Sequence, residues 1–182
     1  MEEEVVVEPK KNPNMLAFKS AIAYSVYFLV LMFVMKWLGV DQNNPNTTVA
    51  EKIIYSLASY IPFIMAVVFV QTTYKKELGG YISFGKAFSS GFKVAAYAGL
   101  FIAVFTILYY KVLDTNAFNQ LMDSAKAAAG DDENKVKGVE MMRPYMIFFI
   151  GFGVAVSYTI YGLIISLIGA AVIKKEQPLY EE

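Results

Sequence analysis

The chain contains no cysteine and no histidine. The first absence excludes disulfides, thiol catalysis and acyl-cysteine anchors. The second removes the commonest metal ligand and the commonest general base. Charge is scarce too: 18% of the 182 residues are charged, against about 25% in a typical soluble domain. The 16 basic and 16 acidic residues cancel, so net charge does not point to nucleic acid. No G-x-S-x-G is present, and no Ser–Lys or paired-carboxylate spacing takes the place of the missing bases. The expectation is a protein that is not an enzyme and carries no cofactor or metal.

Apolar residues are abundant. They make up 57% of the chain, with 15% aromatic, and the excess must meet lipid or an unusually large core. A membrane helix needs about 20 mostly apolar residues to cross about 30 Å of hydrocarbon. Four stretches qualify, at about 16–38, 53–74, 84–110 and 144–173. Lys19 and Lys36 flank the first and can snorkel to the headgroups. The second has no charge at all. The third has a lightly charged approach before Val94, and the fourth is longer than a span requires, so it must tilt or project. The N-terminal apolar run has no clean cleavage site and reads as a retained span. The resulting fold class is all-α: a single-domain integral membrane four-helix bundle with an extracytoplasmic helical hairpin between spans three and four. Residues 1–13 read as a disordered tail.

Lysine placement gives the orientation. Lys10, Lys11, Lys19, Lys75, Lys76, Lys86, Lys93, Lys174 and Lys175 fall on one side. Lys36, Lys52, Lys111, Lys126, Lys135, Lys137 and Arg143 fall on the other, several of them in a long loop away from span ends. Both termini and the loop between spans two and three are therefore expected in the cytoplasm.

The loops carry their own signals. Thr48-Val49-Ala50-Glu51 matches a capping box, which should open the second span. Pro62 should kink that span. The segment 114–142 is too long to lack structure. Asp114 or Thr115 should cap a helix ending at Gly130, with Phe118, Leu121, Met122 and Ala125 on one face. A second short helix is expected from Asp132 to Met142, stopped before Pro144. The pair reads as a lid or partner-binding face, or as an amphipathic hairpin resting on bilayer or bundle. The acidic run at 130–135 lacks the ligand alternation of an EF-hand and reads as a solvated turn.

Small residues recur every four positions: Gly91, Ala95, Gly99 and Ala103 on the third span, and Gly162, Ser166 and Ala170 on the fourth. Membrane helices associate through such stripes, because lipid offers no hydrophobic drive between them. Ala17, Ala21 and Ser25 make a shorter stripe on the first span. The third span should be central. A second copy fits the stripes equally well, so a homodimer is open. No ionisable group lies at a span centre, which argues against ion paths and proton relays. Neutral polar groups are present instead: Tyr24, Tyr27, Ser56, Ser59, Tyr60, Gln71, Tyr97, Thr106, Ser157, Tyr158, Thr159 and Tyr161. They can line a cleft for a lipid headgroup or sugar, or bond between helices.

The stretch ELGGYISFGKAF, at 77–88, joins spans two and three. It is not a P-loop: Ala87 follows Gly85-Lys86, and a membrane helix precedes it. Gly79, Gly80, Ser83 and Gly85 read instead as a structural elbow, with Ser83 as N-cap of the next helix. Phe84, Ala87, Phe88, Gly91 and Ala95 form an apolar face; Lys86, Ser90 and Lys93 form a polar one. Lys75, Lys76, Lys86 and Lys93 suit anionic headgroups of the bilayer.

KELGGYISFGKAFSSGF, with GLIISLIGAAVIKK at the end of the fourth span, resembles the DUF4199 family of small four-span membrane proteins of unknown function. The resemblance covers nearly the whole chain, and the core at Gly79–Phe88 is its most specific part. It implies a multi-pass protein of the bacterial inner membrane and supplies no reaction, ligand or catalytic residue. Two functions follow as expectations. The first is a non-enzymatic scaffold or accessory subunit of a membrane complex. The alternative is a GtrA-like carrier or flippase-type protein handling a polyprenyl-phosphate or other anionic lipid.

Overall fold

A computed structural model describes residues 12–40 and 47–176. Residues 1–11 of the expected tail, Lys10 and Lys11 among them, and the middle of the first loop lie outside the described residues, whereas Pro13 at the tail's end is the buried N-cap residue of α1. Five α-helices follow in order: α1 (Asn14–Trp37), α2 (Val49–Glu77), α3 (Phe84–Leu108), α4 (Thr115–Ala129) and α5 (Glu133–Ile173). A π-helical turn, Tyr109–Leu113, links α3 to α4. Four of these helices are long and apolar enough to cross a membrane, α3 together with the π turn.

Burial runs opposite to that of a soluble bundle. Val30, Phe69, Phe152 and Val172 point outward, while Ala17, Ala21, Ser25, Ser59, Gln71, Ser90, Thr106 and Ser166 lie inside. Lipid accommodates the large side chains, and close packing claims the small ones. Central helix α3 packs on α1, α2 and α5, most extensively on α5. A Cβ on Gly99 would meet the Ala155 carbonyl at 2.8 Å and Thr159 Oγ1 at 3.1 Å. One on Gly162 would collide with Ala95, and one on Gly151 would meet Ile107 at 2.7 Å. Ala103 is buried on the same side of α3, and Ala170 at the far end of α5. The small-residue stripes therefore close the fold within one chain.

Local chemistry sets the helix ends. Thr48 and Glu51 form the reciprocal capping box: Thr48 Oγ1 accepts from the Glu51 N–H, and Glu51 Oε2 accepts from the Thr48 N–H. Asp114 caps α4 by accepting from the Ala117 N–H at 3.1 Å. Gly130, at φ +61°, ends it. Asp132 then caps α5, accepting from the N–H groups of Asn134 and Lys135, so the acidic run serves as a helix start.

Three expectations need correction. Pro144 does not stop a helix: α5 runs unbroken through it for 41 residues. A proline inside a helix leaves the carbonyl four residues back without its donor. Here that carbonyl belongs to Glu140, which is exposed and open to water. Ser90 is not on a polar face; it is buried and donates to the Ala87 carbonyl at 2.8 Å. Ser83 occupies the N-cap position of α3 but makes no side-chain capping bond.

Candidate functional site

The two ends of the bundle are built differently. At the elbow end, Gly79 and Gly80 adopt φ of +76° and +88°, where side chains are strained. Gly85 has no such backbone and sits in the first turn of α3. The elbow then pairs with the chain's exit: Ile82 N donates to the Lys175 carbonyl at 2.8 Å, and Lys175 N returns a bond to Ile82 at 2.9 Å. Lys175 Nζ lies 5.1 Å from the Tyr81 ring centroid. Lys75 donates to the Ile173 carbonyl at 2.8 Å, capping the C-terminus of α5. Gln71, fully buried, donates to the carbonyls of Ala87 and Ser166, tying α2 to α3 and α5. Gly91 and Gly169 leave the room it needs, since a Cβ on either would run into its amide. Of the four lysines expected to meet headgroups, Lys75 thus has a structural bond. Lys76 and Lys86 are exposed, and Lys93 is half-buried.

At mid-depth the polar residues named above converge. Tyr24 donates to the Ser59 carbonyl at 3.0 Å, and its hydroxyl lies 3.2 Å from that of Tyr158. Phe28, Tyr60 and Phe63 surround Tyr158, with ring centroids 5.3 to 6.1 Å away. Tyr27 donates to the Ala58 carbonyl at 2.9 Å. Thr159 bonds back to Ala155 within its own helix. Tyr161 packs on Tyr60 at 5.1 Å, and Tyr97 meets Phe18 edge-on.

Beyond this tyrosine layer the bundle is open among α1, α2 and α5. Between them lies a lobe of about 390 Å³, lined by Phe28, Tyr55, Ser56, Ser59, Tyr60, Ile150, Gly153, Val154, Ser157 and Tyr158. A second lobe of about 440 Å³ shares Phe28, Tyr55, Ile150 and Val154 with it and continues to Lys36, Thr106, Tyr109, Tyr110, Ala117 and Gln120. The two lobes adjoin across these shared walls, and together they form a cleft between the tyrosine layer and the hairpin. Small side chains account for it: Ser56, Ser59, Gly153 and Ser157 leave space between the helices unfilled.

The hairpin covers the mouth. Met122 of α4 is fully buried, with Phe118, Leu121 and Ala125 half-buried on the same face. Lys126 pairs with Glu140 at 2.8 Å, and Arg143 donates to Asn119 at 2.7 Å, fastening α4 to α5. Asp114 joins the hairpin to the bundle. It pairs with Lys36 of α1 and accepts from the Tyr109 hydroxyl at 2.9 Å. Burial would raise its pKa, yet the bonds from Lys36, Tyr109 and the Ala117 N–H, together with the Lys36 charge, hold the carboxyl below its usual range.

The geometry defines a class first: a four-span helical membrane bundle, sewn together at one end and hollow at the other. More narrowly, the chain belongs to the family described as protein of unknown function DUF4199, which it matches over residues 19–175. Neither a curated protein nor a solved structure matches it.

Proposed function

We propose that this protein is a non-enzymatic, multi-pass protein of a bacterial inner membrane that holds the polar head of an amphiphile in the hairpin-end cleft. The two adjoining lobes of the cleft carry this reading, one among α1, α2 and α5 and the other reaching α3 and α4. Its lobes of about 390 and 440 Å³ fall within the usual range of small-molecule sites, about 300–1,000 Å³. Hydroxyl and aromatic groups line it, and its deeper lobe lies between two helices whose outer faces are apolar. A head can enter the cleft while its chain stays among the lipids. Lysine bias supports a cytoplasmic elbow end and an outward-facing hairpin.

Gly153 supplies the test. A Cβ there meets nothing within 4 Å, and Gly153 lines the deeper lobe. Gly153→Phe should fill the lobe without disturbing helix packing. Native mass spectrometry of protein released from membranes in mild detergent should show a bound amphiphile in the wild type and its loss in the variant, at unchanged thermal stability. Equal lipid retention by both proteins would remove the reading.

A second reading, an accessory subunit that engages a partner through the hairpin, draws on Met141, Met142 and Tyr145, which are exposed where α5 leaves the bundle. Crosslinking from Met141 to another membrane protein would support it.

A further inference from the structure

We infer that the head held in the cleft is uncharged and polyhydroxylated, of the kind a sugar provides, and not an anionic phosphate. This inference rests on the cleft reading above and specifies its ligand. Three observations carry it.

Charge comes first. Lys36 is the only charged residue among the described residues lining the two lobes, and Asp114 already neutralises it. That carboxylate is itself held by Tyr109 and the Ala117 N–H. An anionic head would have to displace a buried, triply bonded carboxylate or remain without a countercharge, and either is costly away from water.

Hydrogen-bonding capacity comes second. Thr106 is 5% exposed and lines the cleft, and its hydroxyl has no hydrogen-bond partner among the described residues. The Gln120 amide and the Ser157 hydroxyl also line the lobes without a partner there. Each can both donate and accept. A sugar hydroxyl does the same, whereas a phosphate oxygen mainly accepts.

Shape comes third. Tyr55, Tyr60, Tyr109 and Tyr110 present rings along the cleft. Their flat apolar faces suit the C–H face of a sugar ring.

The test uses full-length protein in phosphatidylcholine nanodiscs. One arm adds monoglucosyl diacylglycerol and another adds phosphatidylglycerol. A third supplies methyl glucoside in solution, which separates a lipid-borne sugar from a free one. Retention is read by native mass spectrometry for wild type, Thr106→Val and Gln120→Leu. Gln120 is exposed on α4, so its variant serves if Thr106→Val fails to fold. The expected result is glucoside retention at least about tenfold above phosphatidylglycerol, lost in either variant and insensitive to salt. Preference for phosphatidylglycerol, abolished by Lys36→Met and by Gly153→Phe, would overturn the neutral-head inference and leave the cleft reading standing. If no probe is retained in a way that Gly153→Phe abolishes, both are wrong.

Discussion

The hydroxyl of Tyr27 donates to the carbonyl of Ala58, the oxygen that Pro62, four residues later, leaves without its helical donor. Proline has no N–H to offer, and no water reaches mid-bilayer to take its place. A tyrosine on α1 therefore completes the hydrogen bonding of α2. One turn along, Tyr24 adds a bond to the Ser59 carbonyl, so the proline site is also where α1 and α2 are joined.

Removing that hydroxyl should cost stability only while the proline is present. Tyr27→Phe should destabilise the bundle by about 1–3 kcal/mol, the cost of a carbonyl left without a donor away from water. In a Pro62→Ala background the restored N–H satisfies Ala58, and the same change should cost much less. Denaturant titration of the four proteins, read by circular dichroism, measures the coupling. Equal losses in both backgrounds would mean that the hydroxyl does not stand in for the missing donor.

Gly99 and Gly153 should respond oppositely to the same substitution. Gly99→Ala drives a Cβ against the Ala155 carbonyl and should cost about 1–3 kcal/mol, the usual penalty of overpacking. Gly153→Ala enters open space and should be close to neutral. Thermal unfolding in one detergent compares them directly. Gly99→Leu adds a check on assembly: its effect should appear in monomer stability, with no change in crosslinked species.

Asp114 should govern the acid limb of stability. Its folded-state pKa is lowered, so its contribution is present above the unfolded carboxylate value of about 3.9 and is lost as pH falls through the folded value. Asp114→Asn should flatten the loss of stability below about pH 4. It should also free α4 for hydrogen exchange at neutral pH, since the Lys36 pairing goes with it. An unchanged acid limb would place the sensitive group elsewhere.

At the elbow, backbone conformation is the discriminating variable. Gly80 has open space around it but a φ of +88°. Gly80→Val should cost about 1–3 kcal/mol through strain alone, and Gly80→Asn should cost less, because asparagine tolerates positive φ. If the two variants melt together, bulk and not backbone limits the turn.

Much of this architecture was legible in the sequence because local rules decide it. Span length, the Thr48–Glu51 box, the Asp114 cap and the glycine pair each depend on a few neighbouring residues. The stripes were legible too, since Gly99 and Gly162 need only helical spacing to be recognised. Pro144 misled because the rule that proline ends a helix assumes that the freed carbonyl has no substitute partner. The Tyr27–Ala58 and Ile82–Lys175 bonds join residues far apart in the chain, and no periodicity announces them. The cleft was legible only as an inventory. Ser56, Ser157 and Tyr158 stand out as polar, but whether such groups bond to one another or face a void depends on how far α5 stands from α2.

The bridge between Ile82 and Lys175 makes the bundle mechanically lopsided. With Lys75 on Ile173 and Gln71 on two carbonyls, it pins α2, α3 and α5 together at one end, as the pivot of a pair of tweezers joins its arms. The lobes lined by Tyr55 and Gly153 lie toward the other end, where the strut from Asp114 to Lys36 ties the hairpin to α1.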